Sequence, residues 1–179
     1  MKNALSLLAF LFCTLPLSAQ DYYNAINFTK AAIGNSGCFA YFPESRTEKK
    51  FDISYSPDSS KIYTGEFPED GFNFSIIVVQ MKDKIEDPDD REDMTISYLD
   101  YLKTQFNIEH SAGYSTGHKL DSDPEAIGIF DFWEDKDQYK WAIKAWANEN
   151  IIAVMMLYGP KAYPNSNVQH LFLNGFRFK

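Results

Sequence analysis

Cysteine is nearly missing from this chain: two residues in 179, Cys13 and Cys38. Cys13 falls in a stretch that reads as an export leader, so the remainder carries one thiol and no internal disulfide framework. Histidine is equally sparse. His110, His118 and His170 are the three present, with no HExxH and no His-x-His among them, whereas zinc wants three or four convergent ligands. Basic residues are outnumbered 17 to 25, for a formal net charge of −8. A nucleic-acid binder or a docker onto anionic membrane needs a basic face, so this balance argues against both. Beyond the leader no run approaches the ~20 apolar residues of a spanning helix. The best, Ile151–Tyr158, is strand-sized. Internal repeats, low-complexity tracts and Pro/Gly/Ser linkers are also lacking.

What is present is a globular composition: 45% hydrophobic, 16% aromatic, 23% charged. Lys2, the apolar run Ala4–Phe12, the break at Pro16 and the small residue Ala19 form the three-part secretory pattern. The expectation is a signal peptide over 1–19, cleavage after Ala19, and a secreted or periplasmic single domain over 20–179. Phe12 is too bulky for the residue before a lipidated cysteine, which disfavours lipidation at Cys13. A domain of this length buries roughly 70% of its unfolded surface. Cys38, beside Phe39, reads as a small buried hydrophobe. Asn27 and Asn73 head N-x-S/T sequons, which matter only in a host that glycosylates secreted proteins.

Tyr22, Ala25, Ile26, Ala32 and Ile33 predict a helix over 22–33, stopped by Gly34 and Gly37. Strand-like runs follow at Cys38–Phe42, Phe51–Tyr55, Lys61–Phe67 and Phe72–Gln80, with a hairpin turn at Pro68–Gly71. The main helix is expected from Asp89 to Phe106, capped by Asp87, begun by Pro88, and buried along Met94, Tyr98, Tyr101/Leu102 and Phe106. After one strand near Tyr114 come three more, Ala126–Trp133, Gln138–Ala147 and Ile151–Tyr158. The last is apolar on both faces, as a covered central strand would be. Asn165–Leu173 reads as a short helix, with Phe176 and Phe178 on one face of a terminal strand. Hairpins around one long helix predict an α+β fold: an antiparallel β-sheet with helices packed on its faces.

This element order, with Phe42-Pro43 after an early strand and Phe176-Arg177-Phe178 at the end, resembles the PsbP-like family over roughly residues 38–179. The resemblance implies an antiparallel sheet between helices and a non-catalytic role in binding or assembling a partner. It carries no site residue over.

Several motifs fail on spacing. Gly34–Cys38 lacks the second glycine of a nucleophile elbow, and Gly113–Lys119 has the wrong spacing for a phosphate loop. Seven acids between Asp83 and Asp93 lack the EF-hand order and suit a helix start instead. His110 and His118 lie near Glu109 and Asp121, where a metal is conceivable, but solvated loop histidines are the simpler reading. Trp133, Tyr139, Trp141 and Trp146 occupy one hairpin, with Trp141 and Trp146 on opposite faces. Covering the sheet under a helix is the preferred reading of these rings; Trp133 and Tyr139, beside the acidic tip Glu134–Asp137, are the candidate partner-binding residues, since amphipathic rings next to a polar turn can anchor a partner. No catalytic residue, metal site or cofactor is expected. The leading expectation is a non-catalytic binding or accessory domain for a protein or small ligand. The alternatives are a small hydrolase assembled only in the fold, for example around His118 with Asp121 or Asp123, and a binder of a hydrophobic ligand between sheet and helix.

Overall fold

The structure, a computed structural model, describes residues 26–44, 49–160 and 162–179; the expected leader over 1–19 lies outside them. The described residues form β1 (Phe28–Ala32), β2 (Phe39–Pro43), β3 (Asp52–Tyr55), β4 (Lys61–Glu69), β5 (Phe72–Gln80), α1 (Pro88–Gln105), β6 (Ile108–Ser111), β7 (Ser115–Leu120), β8 (Asp123–Asp135), β9 (Lys140–Ala147), β10 (Ile151–Gly159) and α2 (Ser166–Leu173). Eight strands make one sheet in the order β3-β4-β5-β10-β9-β8-β6, with β7 also paired to β8. Every pairing is antiparallel. The hairpin β1-β2 is separate. The class is α+β, with a helix on each face of the sheet. Among the described residues no helix is long and apolar enough to cross a membrane.

β10 runs between β5 and β9 as the apolar pattern requires. Ala153, Met155 and Leu157 enter the core beneath α2 and the β1-β2 hairpin. Ile152, Val154 and Met156 enter the core beneath α1. The β4-β5 turn places Asp70 at φ 50° and Gly71 at φ 77°. Two positive φ values in a two-residue hairpin are those of a type I′ turn, which matches the twist of the strands it joins.

Four expectations need correction. The segment before Gly34 is not helical where it is described: Phe28–Ala32 is β1, paired residue for residue with β2. Gly34 (φ 51°) and Gly37 (φ 84°) turn the chain between them, so tertiary pairing overrides the weak helical spacing. The buried stripe of α1 is Arg91, Thr95, Leu99 and Leu102, while Met94 and Tyr101 are 47% and 55% exposed. An apolar count could not find this stripe, because two of its members are polar. Thr95 satisfies its hydroxyl internally by donating to the Arg91 carbonyl at 2.7 Å. Asp87 and Pro88 do begin the helix, the Asp87 carboxylate accepting from the Asp89 amide at 2.8 Å. Finally, two strands stand where one was expected. β8 is 13 residues long and pairs with β6 at one end and β7 along the other. The terminal strand reduces to one bridge, Arg177 to Phe39, although Phe176 is fully buried.

Candidate functional site

β9 reads Lys140-Trp-Ala-Ile-Lys-Ala-Trp-Ala147, and both of its faces are buried. Lys144 therefore points into the core face beneath α2, one pleat from Ala142 and Trp146, and opposite Phe130 on β8 and Met155 on β10. It is 8% exposed. Its Nζ donates to Asn174 Oδ1 at 2.7 Å and lies 4.6 Å above the Trp146 ring, a cation–π contact. Among the described residues no carboxylate comes within 4.0 Å of this ammonium. Burial pushes Lys144 down to about 8.

Asn174 is positioned by α2. The Asn165 side chain caps that helix by accepting from the Val168 amide at 2.9 Å, and the Asn174 amide closes the other end on the His170 carbonyl at 3.1 Å. Trp146 Nε1 donates to the Leu173 carbonyl at 2.8 Å and ties this end to β9. Gly128 makes the approach possible, since a Cβ there would meet the Trp146 ring at 2.4 Å. The C-terminal end of a helix carries partial negative charge, which offsets a little of the cost of burying Lys144. Asn174 Nδ2 also contacts His170 Nδ1 at 3.0 Å, so lysine, amide and imidazole form one polar chain.

This chain borders a hollow of about 240 Å³ lined by His118, Phe130, Lys144, Ser166, Gln169 and Leu173, among others. A second hollow of about 370 Å³ adjoins it beyond His170 and Asn174, bordered by Lys119, Asp121 and Arg177. His118 is held below the ordinary imidazole range, first by burial and then by the positive charge of Lys144. Its Nε2 lies 3.2 Å from Ser115 Oγ, and its ring meets Phe130 edge to face at 6.1 Å. Lys144, Lys119 and Arg177 thus share this surface with one carboxylate, Asp121, on a chain of net charge −8. A concave, locally cationic site focuses potential toward an anion.

The residues singled out from sequence lie elsewhere. Trp133 has 0% exposure and sits in the core beneath α1, its Nε1 donating to Asp131 Oδ2 at 2.6 Å. A ring enclosed in this way is a packing element, not a surface anchor. Tyr139 is half-buried on the same face, 6.4 Å from Tyr158. His110 and His118 do not converge: they pair with Glu134 and Gly128 of β8, a separation along the strand of roughly 20 Å. His118 bonds neither Asp121 nor Asp123; its partner is Ser115, and Asp121 borders the neighbouring hollow. Ser36 donates to the Ile33 carbonyl and accepts from the Cys38 amide, a turn-closing arrangement. Cys38 is buried, and burial pushes its thiol up. Among the described residues no three His, Cys, Asp or Glu side chains gather as a metal site would.

Sequence reasoning passed over Lys144 and Asn174. The available signal was a lone lysine inside a strand whose two faces are otherwise apolar. Neither a known protein family nor a curated protein matches the chain.

Proposed function

We propose that this chain is a secreted or periplasmic, non-catalytic binding or accessory domain of PsbP-like architecture, and that it takes a small ligand in the cleft between α2 and strands β7–β9. One observation carries this reading: a lysine buried mid-sheet at the floor of a cleft, hydrogen-bonded to a single neutral group, Asn174, and without a counter-ion among the described residues. A buried charge costs stability unless it is fully paired, and this one does little that an apolar side chain would not do better for the fold. The architecture is supported by an antiparallel sheet with a helix on each face, and the location by the leader pattern of Lys2 to Ala19. The acidic balance supports a small ligand or a protein partner over nucleic acid.

The test is affinity capture of the mature protein from its own host's envelope fraction, with mass spectrometry of the small molecules released on denaturation. Ser166→Trp is the comparison, because Ser166 is an exposed rim residue of the hollow and a large ring there fills it without touching the core. A small molecule held by the wild type and lost from Ser166→Trp is the expected result. Identical release from both proteins, or none from either, removes the cleft from the account.

A further inference from the structure

Lys144 has three N–H donors, of which one is given to Asn174. Among the described residues the other two have no hydrogen-bond acceptor, and Lys144 lines the hollow, whose wall joins the apolar side chains Phe130 and Leu173 to the polar groups Gln169, Ser166 and His118. Gln169 Nε2 is already committed to the Pro164 carbonyl at 2.7 Å, which leaves its own carbonyl oxygen available. Titratable groups face Lys144 from two elements, His118 on β7 and His170 on α2. The flanking strands β8 and β10 present Phe130 and Met155. None of these is a carboxylate.

Resting on the reading of this cleft as a ligand site, we infer that its ligand is a small amphipathic organic anion, a carboxylate with a short apolar body, whose charged end pairs with Lys144 and whose apolar end lies against Phe130 and Leu173. Three alternatives fit less well. A bare inorganic anion would satisfy the ammonium and leave Phe130 and Leu173 uncovered. A neutral apolar molecule would cover those side chains and bury two N–H groups without acceptors, which costs more than an unmade bond to water. A cation would place like charges together. The surrounding Lys119 and Arg177 act in the same sense, drawing an anion to this part of an acidic molecule.

The inference is tested with hexanoate, 1-hexanol and inorganic phosphate as probes, titrated into the mature protein and followed by amide chemical shifts. Hexanoate is expected to move the amides of Phe130, Leu173 and Asn174 and to bind at least about tenfold more tightly than 1-hexanol, as a charge-assisted hydrogen bond would require. Phosphate is expected to bind more weakly than hexanoate. In Lys144→Met the order of hexanoate and 1-hexanol should reverse. If 1-hexanol and hexanoate move the same cleft amides with equal affinity in the wild type, the cleft stands as a binding site and the anion inference falls. If phosphate binds as tightly as hexanoate, the apolar half of the inference falls. If no probe moves a cleft amide, the cleft reading falls as well. The wild-type comparisons decide the matter even if the variant folds poorly.

Discussion

The buried carboxylates on one face of the sheet and the buried lysine on the other are held in opposite ways. Beneath α1, Asp131 accepts from Ser111 Oγ at 2.6 Å, the Gly113 amide at 3.0 Å, the Phe132 amide at 2.8 Å and Trp133 Nε1 at 2.6 Å. Lys103 stands 3.4 Å away as its counter-ion. Asp135 is held in similar fashion by the amides of Asp137 and Tyr139 and by Trp141 Nε1. These carboxylates tie α1, β6, β8 and the β8-β9 turn together. On the α2 face Lys144 has one hydrogen bond, to Asn174, stands over the Trp146 ring and borders a hollow. Burial is common to both sets, so burial does not separate them. The number and charge of the partners does: a fully bonded ion closes the fold, and a singly bonded one is free to meet a ligand.

The largest effect should come from Asp131→Ala. It leaves the Trp133 indole N–H, the Ser111 hydroxyl and Lys103 without their acceptor, and breaking a buried pair in this way costs about 3–5 kcal/mol. Urea unfolding measures it; a wild-type midpoint would erase the contrast between the faces.

A smaller effect should appear with pH. Lys144 titrates near 8 in the folded chain and near its ordinary 10.5 when unfolded. Between those values the unfolded chain binds a proton that the folded chain does not, so this group makes stability rise with pH across that window. Below pH 8 both states hold the proton and the cost of the buried charge is fully present. Tyr114 and Tyr158 oppose the rise above pH 10, because burial and their carboxylate partners, Asp100 and Glu66, push both hydroxyls up. Subtracting the unfolding free energy of wild type from that of Lys144→Met between pH 7 and 10 cancels the tyrosines. The advantage of the variant should shrink as pH passes 8. A difference that stays flat would place Lys144 in a solvated, unshifted environment. Among the groups facing it, His118 is already neutral over this range.

The smallest effect belongs to the histidines. His110→Gln, His118→Gln and His170→Gln together should change stability by no more than about 0.5 kcal/mol, since two of the three are exposed and His118 bonds one surface serine. Loss of a measurable hydrolytic activity from this variant while it stays folded would turn the reading toward an enzyme.

Much of the frame was legible because it is local. The β8-β9-β10 meander announces itself by strand-length apolar runs between polar turns, and Asp87-Pro88 marks a helix start by chemistry within one turn. β1 was not legible, since its partner β2 supplies what its own spacing lacks. Trp133 carried two readings, core and contact, for a related reason. It lies near a polar hairpin tip in sequence, but α1 covers it in space. The cleft was the least legible feature of all. Its floor residue looks like one more lysine, and the Asn174 that gives it meaning lies 30 residues further on.

The central claim is that Lys144 is kept for a ligand and not for the fold. Urea unfolding of Lys144→Met beside wild type at pH 7 tests it most directly. Replacing a buried charge that has no counter-ion with an apolar side chain of similar length removes the cost of burying that charge. The account predicts a midpoint at or above that of wild type, with an unchanged slope. A midpoint lowered by several kcal/mol, as expected for Asp131→Ala, would make Lys144 a strut that holds Asn174 and the end of α2 in place, and would contradict the claim.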